Sequence, residues 1–163
     1  MAASSNVKTP QLENSNAATL SQEYVTGICE GLASFTYSRN GNGINLRFSL
    51  RLQENDRSLL FSLMRFFGVG NVYHSSPGAG ASSDRGGCWY YCVSKVSDIE
   101  RIIRHFELHP LMGSKARSFD VWRQMFDLKR TPRKADTAAL FELAAKLSTL
   151  SRRRPATRSR AGQ

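Results

Sequence analysis

"YVTGICEGLASF", residues 24–35, sets two glycines four apart in an apolar helical stretch and then leaves it through small residues. Leu20, Tyr24, Val25, Ile28 and Leu32 recur at helical spacing behind Ser21, so the pattern predicts a capped helix over 21–32. Gly27 and Gly31 then lie one turn apart on one face, where missing side chains let a second helix come close. That helix could belong to a second chain, or the glycines could ease packing within one subunit. A leucine, Leu32, stands between the second glycine and the exit.

Working outward, residues 34–39 alternate, with Phe35 and Tyr37 on one face and Ser34, Thr36 and Ser38 on the other. "RNGNG" (39–43) is a hairpin signal, because Asn-Gly pairs tolerate the positive φ that tight turns need. Residues 44–53 alternate more strictly: Ile44, Leu46, Phe48, Leu50 and Leu52 point one way, and Asn45, Arg47, Ser49, Arg51 and Gln53 the other. "END" (54–56) opens a helix over 57–67 with Leu59, Leu60, Leu63, Phe66 and Phe67 at helical spacing, closed by Gly68.

A third strand follows at 69–74, a Gly/Ser/Ala-rich loop carrying Arg85 at 75–87, and a fourth strand at 88–94. Ser97 is placed to cap a helix over 98–106; further helices are predicted over 113–128, with Phe119, Trp122, Met125 and Phe126 as the buried stripe, and over 135–150. Two hairpins with helices between them give an α+β fold, a four-stranded antiparallel sheet with helices on its apolar face. One domain over 21–150 is expected, between a Ser/Asn/Ala-rich extension (1–20) and a basic tail (151–163).

Twenty-three Lys and Arg against 13 Asp and Glu give a net charge of +10, which favours a polyanionic partner, with nucleic acid first. The polar sheet face carries the candidate contacts: Ser34, Thr36, Ser38, Arg47, Arg51 and Gln53, with Arg39 and Asn40 at the hairpin tip and Arg85 on the long loop. Arg152, Arg153, Arg154, Arg158 and Arg160 of the tail suit phosphate contact. The competing account is a solvated charged face, and Lys115, Arg117 and Arg123 read as ordinary helix-surface charges.

Three cysteines without CxxC spacing and three scattered histidines argue against a disulfide framework and a zinc site. No apolar run reaches the ~18 residues of a membrane span. With no Arg before Arg39, and with Glu13 and Glu23, the N-terminal stretch fits a transit peptide poorly, and no targeting is legible there.

The order of elements and four segments together resemble the LAGLIDADG homing endonuclease family. The motif aligns with residues 25–35, and the other three stretches are "LQENDRSLLFSLMRFFGVGNVY" (52–73), "YYCVSKVSDIERIIRHF" (90–106) and "HPLMGSKARSFDVW" (109–122). The resemblance implies an αββαββα module with a saddle-shaped sheet, and a homodimer or heterodimer joined through the Gly27/Gly31 helix. It also implies a divalent metal, Mg²⁺, held by an acidic side chain after the second glycine, where this chain has Leu32.

A leucine offers no oxygen to a hard cation. Glu30 lies about 200° around the helix from Leu32 and cannot replace it; Ala33 replaces the motif's last glycine. The family's accessory Gln falls at Gln53 or Glu54, the latter a weak substitute metal ligand, and its accessory Lys falls at Ser97, with Lys95 two residues upstream. The first expectation is therefore a non-catalytic nucleic-acid-binding protein without a metal cofactor. The resemblance makes it an RNA-binding component of a ribonucleoprotein or ribosome in a mitochondrion or chloroplast. The alternative is a Mg²⁺-dependent DNA-cleaving homing endonuclease or an intron RNA maturase. Leu32 and Cys29 would also suit an interface with an unrelated protein.

Overall fold

The structure, a computed structural model, describes residues 19–41, 43–75, 87–131 and 137–151. Along the chain it forms α1 (Gln22–Leu32), β1 (Ser34–Asn40), β2 (Gly43–Gln53), a 3-10 turn (Glu54–Asp56), α2 (Arg57–Phe67), β3 (Asn71–Ser75), β4 (Cys88–Val93), α3 (Val96–Leu108), α4 (Ser114–Arg130) and α5 (Thr137–Ser151). The four strands form one antiparallel sheet in the order β1-β2-β4-β3, as the α+β reading expected.

Parity along β2 decides the layers. Ile44, Leu46, Phe48 and Leu50 are buried on one side, facing the helices, while Asn45, Arg47, Arg51 and Gln53 are exposed on the other. Phe35 of β1 is the hub of the core: its ring centroid lies 5.5 Å from Phe48, 5.7 Å from Phe106, 5.4 Å from Phe119 and 5.3 Å from Trp122. Such clusters add about 0.5–1.5 kcal/mol per pair beyond area burial. Polar tips are satisfied at its margin. The Trp122 indole donates to the Thr36 carbonyl at 2.9 Å, and the Tyr91 hydroxyl donates to the Val69 carbonyl at 2.8 Å.

Three local expectations need correction. In α1 the buried residues are Val25 and Cys29, followed by Ala33, whereas Tyr24 and Leu32 of the expected stripe are exposed, so the helix rests on a narrow small-residue edge. Cys29 therefore belongs to the core rather than to an interface, and burial pushes its thiol up to about 12. The third strand begins at Asn71 instead of residue 69, because Gly70 (φ +81°) holds the preceding turn in the left-handed region. Ser97 does not cap α3: that helix starts at Val96, the Asp98 and Ile99 N–H groups donate to the Lys95 carbonyl, and the Ser97 hydroxyl donates to the Asp98 carboxylate.

Candidate nucleic-acid interface

The register aligns the outward side chains in rows. Ser34 stands opposite Ser49, Thr36 opposite Arg47, and Ser38 opposite Asn45. The rows continue across the sheet as Ser49–Cys92–Asn71, Arg51–Tyr90–Tyr73 and Gln53–Cys88–Ser75. Ser34, Thr36, Ser38, Arg47, Arg51 and Gln53 are thus gathered on one polar face, in line with their alternation, and Asn40 of the hairpin tip shares its parity.

Arg39 departs from that set. Strand parity turns it to the helix side opposite Ile44, and its guanidinium lies 5.2 Å from the centroid of the Phe141 ring on α5. Arg85 and Arg152, Arg153, Arg154, Arg158 and Arg160 lie outside the described residues.

Both face arginines lean towards β4. The Arg51 guanidinium donates to Cys88 Sγ at 2.9 Å and lies 5.7 Å from the centroid of the Tyr90 ring, and Arg47 donates to Cys92 Sγ at 3.5 Å. Tyr73, Tyr90 and the two cysteines were missed as members of this face. CWYYCV is apolar or aromatic at every position, so hydropathy gives no alternation, and only pairing with β2 and β3 shows which residues point outward.

At the other end of the motif, Glu30 has a different task from Leu32. Its carboxylate accepts from the backbone N–H groups of Met112 at 2.9 Å and Gly113 at 3.0 Å, fixing the chain that enters α4. Leu32 is 45% exposed, between this cap and Ser34. With a hydrocarbon at position 32 and both Glu30 oxygens taken by N–H donors, the donors at the exit of α1 do not fit a divalent cation.

Glu54, the substitute ligand, is also engaged. The Trp89 indole N–H donates to one oxygen, and Arg57 meets the other at 2.5 Å. His74 Nε2 lies 3.9 Å away; the indole and then the guanidinium hold the Glu54 carboxyl below its usual range. The geometry makes Glu54 an anchor for Trp89 at the far end of β2.

Among the described residues the Gly27/Gly31 surface is bare. A Cβ added at either glycine would meet nothing within 4 Å, and Tyr24 is 51% exposed. Contacts among the described residues therefore do not account for these glycines.

Residues 25–126 match the family model described as LAGLIDADG endonuclease. The chain belongs to that family. Among curated proteins no sequence matches it. Solved structures with this fold include the homing endonuclease I-TnaI (20% identity, TM-score 0.67), for which the match covers 82% of this chain and 97% of that one. The I-LtrWI LAGLIDADG homing endonuclease bound to target DNA matches with 24% identity and a TM-score of 0.68 over 86% of this chain and 47% of that one. The meganuclease I-AabMI bound to uncleaved DNA matches with 22% identity and a TM-score of 0.66 over 77% and 44%. The chain thus spans nearly the whole of one relative and about half of the other two.

Proposed function

We propose that this LAGLIDADG chain binds duplex DNA through the open sheet face, as one of two modules joined through α1, without cutting it. The observation that carries this reading is the polar face, uncovered among the described residues, on which Arg47 and Arg51 project from one strand between rows of hydroxyl and amide side chains. A two-stranded or larger β surface can enter a major groove with alternate side chains on base edges, while arginines hold phosphates. DNA is favoured over the RNA of the first expectation, because two similar structures, I-LtrWI and I-AabMI, are DNA complexes.

Two further observations complete the proposal. The bare Gly27/Gly31 face accommodates a second copy of α1, and a relative twice as long as the matched region is consistent with two modules side by side. Leu32 removes the acid that the family motif places there, so the chain binds without metal and leaves its target whole.

Selection from a randomised duplex library by the full chain in EDTA tests this. A pseudo-palindromic site of about 20 base pairs, two turns of half-site spacing, is expected to be enriched. Arg47→Gln with Arg51→Gln should lose that selection, and no strand scission should follow addition of Mg²⁺. Preference for structured RNA over duplex DNA in competition, or cutting by the wild-type chain, would refute the proposal. Leu32→Asp, which restores an oxygen donor at an exposed position, is expected to make complex formation respond to Ca²⁺ where wild type does not.

A further inference from the structure

Charge is divided between two sides of α3. Towards α4 its acids are neutralised: Glu100 accepts from Arg130 at 3.0 Å, and Glu107 accepts from Arg123 at 3.1 Å. Towards α1 and α2 stand Arg101 and Arg104, one turn apart and both exposed. Arg101 donates to the Phe67 carbonyl at 3.4 Å, which holds its guanidinium over the end of α2. Arg104 meets no acid among the described residues.

These two arginines rim a shallow cleft of about 380 Å³ between the start of α1, the end of α2 and α3. Its floor is aromatic. The Phe66 ring stands edge-on to Phe67 at 5.1 Å and to His105 at 5.5 Å, and both nitrogens of the His105 ring are taken, by Thr26 and Gln22. Leu108, 69% exposed, lines the same cleft. Among the described residues that line it there is no acid, lysine or serine. Arginine with aromatic rings is the composition of the centre of protein–protein contacts, because a guanidinium sheds its water more readily than an ammonium and flat rings bury area without freezing many torsions.

We infer that this cleft docks a partner protein through an acidic segment that carries a leucine or phenylalanine. The apolar side chain covers Phe66 and Leu108, and flanking carboxylates meet Arg101 and Arg104 as paired acceptors. Charge complementarity selects the acid, and the exposed hydrocarbon selects its neighbour. A volume of this size takes one or two side chains, whereas a nucleic-acid strand would set its phosphates against Leu108. The cleft belongs to the helix layer, on the far side of the sheet from Arg47 and Arg51, so docking there is independent of DNA binding through the sheet face.

Panning a phage library of random short peptides on the full chain tests this, with the Arg104→Gln chain as counter-target. Peptides enriched on wild type are expected to place Asp or Glu beside Leu or Phe. The enriched peptide, labelled with fluorescein, should bind saturably in anisotropy titrations, and Arg104→Gln and Leu108→Ser should each weaken it by about fivefold or more. Both substitutions lie at exposed positions, and unchanged urea midpoints would show that each variant stays folded. Enrichment of peptides without acids, no enrichment at all, or an affinity unchanged in either variant overturns the inference. So does a mixed-sequence single-stranded RNA that binds wild type and loses affinity in both variants as the peptide does, because the cleft would then be a nucleic-acid site.

Discussion

Acidification should loosen the seat of α1 through one buried imidazole. His105 of α3 is 7% exposed, 5.3 Å from the Phe67 ring and 4.9 Å from the Phe106 ring, with His109 at 5.2 Å. Its Nε2 meets Thr26 Oγ1 at 3.1 Å and its Nδ1 meets Gln22 Oε1 at 3.1 Å, so the neutral ring joins α3 to α1 when Thr26 donates to Nε2 and Nδ1–H donates to Gln22. Burial first, and then the neighbouring His109, lower its pKa from 6.5 to about 4.

The unfolded chain therefore takes up this proton near pH 6.5, and the folded chain does so only near 4. Between those values the unfolded state binds more protons, so the stabilisation is complete above the upper value and is lost as pH falls. The loss amounts to about 2 kcal/mol by pH 5 and about 3 kcal/mol below pH 4. Urea unfolding at pH 7.5 and pH 5.0 reads this out. Wild type should lose about 2 kcal/mol more across that step than His105→Gln, which keeps hydrogen-bonding capacity but does not titrate. Glu23 and Glu54, whose pKa values are lowered, contribute to both proteins and cancel in the difference. Equal losses in the two proteins, or greater wild-type stability at pH 5.0, would refute the reasoning.

Other consequences can be checked at the bench. Gly27→Ala adds a methyl group where nothing lies within 4 Å, so the single subunit should gain about 0.8–1 kcal/mol of helix propensity; self-association in sedimentation equilibrium should weaken. Glu30→Ala should cost about 1–2 kcal/mol in urea unfolding through the lost cap at Met112 and Gly113, and Glu30→Gln, which keeps one acceptor, should cost less. Gly70→Ala would bring a Cβ to 2.6 Å from the Cys92 carbonyl oxygen at φ +81°, and a loss of about 2 kcal/mol or more, seen as a lowered Tm, is expected.

Period and parity, which a chain carries without its fold, determined the element types, the α+β class and the polar side of β2. They separated Arg47 and Arg51 from Ile44, Leu46 and Phe48, and the motif singled out Leu32 at the exit of α1. Tertiary structure alone decided what each face meets. Tyr24 and Val25 both stand on the predicted apolar stripe, yet only Val25 is buried in the core. Arg39 looked like a hairpin-tip contact until α5 supplied Phe141 beneath it, and Lys115 looked like a surface charge until the exit of α1 supplied a carbonyl. Local spacing sets where a side chain points relative to its own backbone; which partner waits there depends on residues about eighty to a hundred positions away.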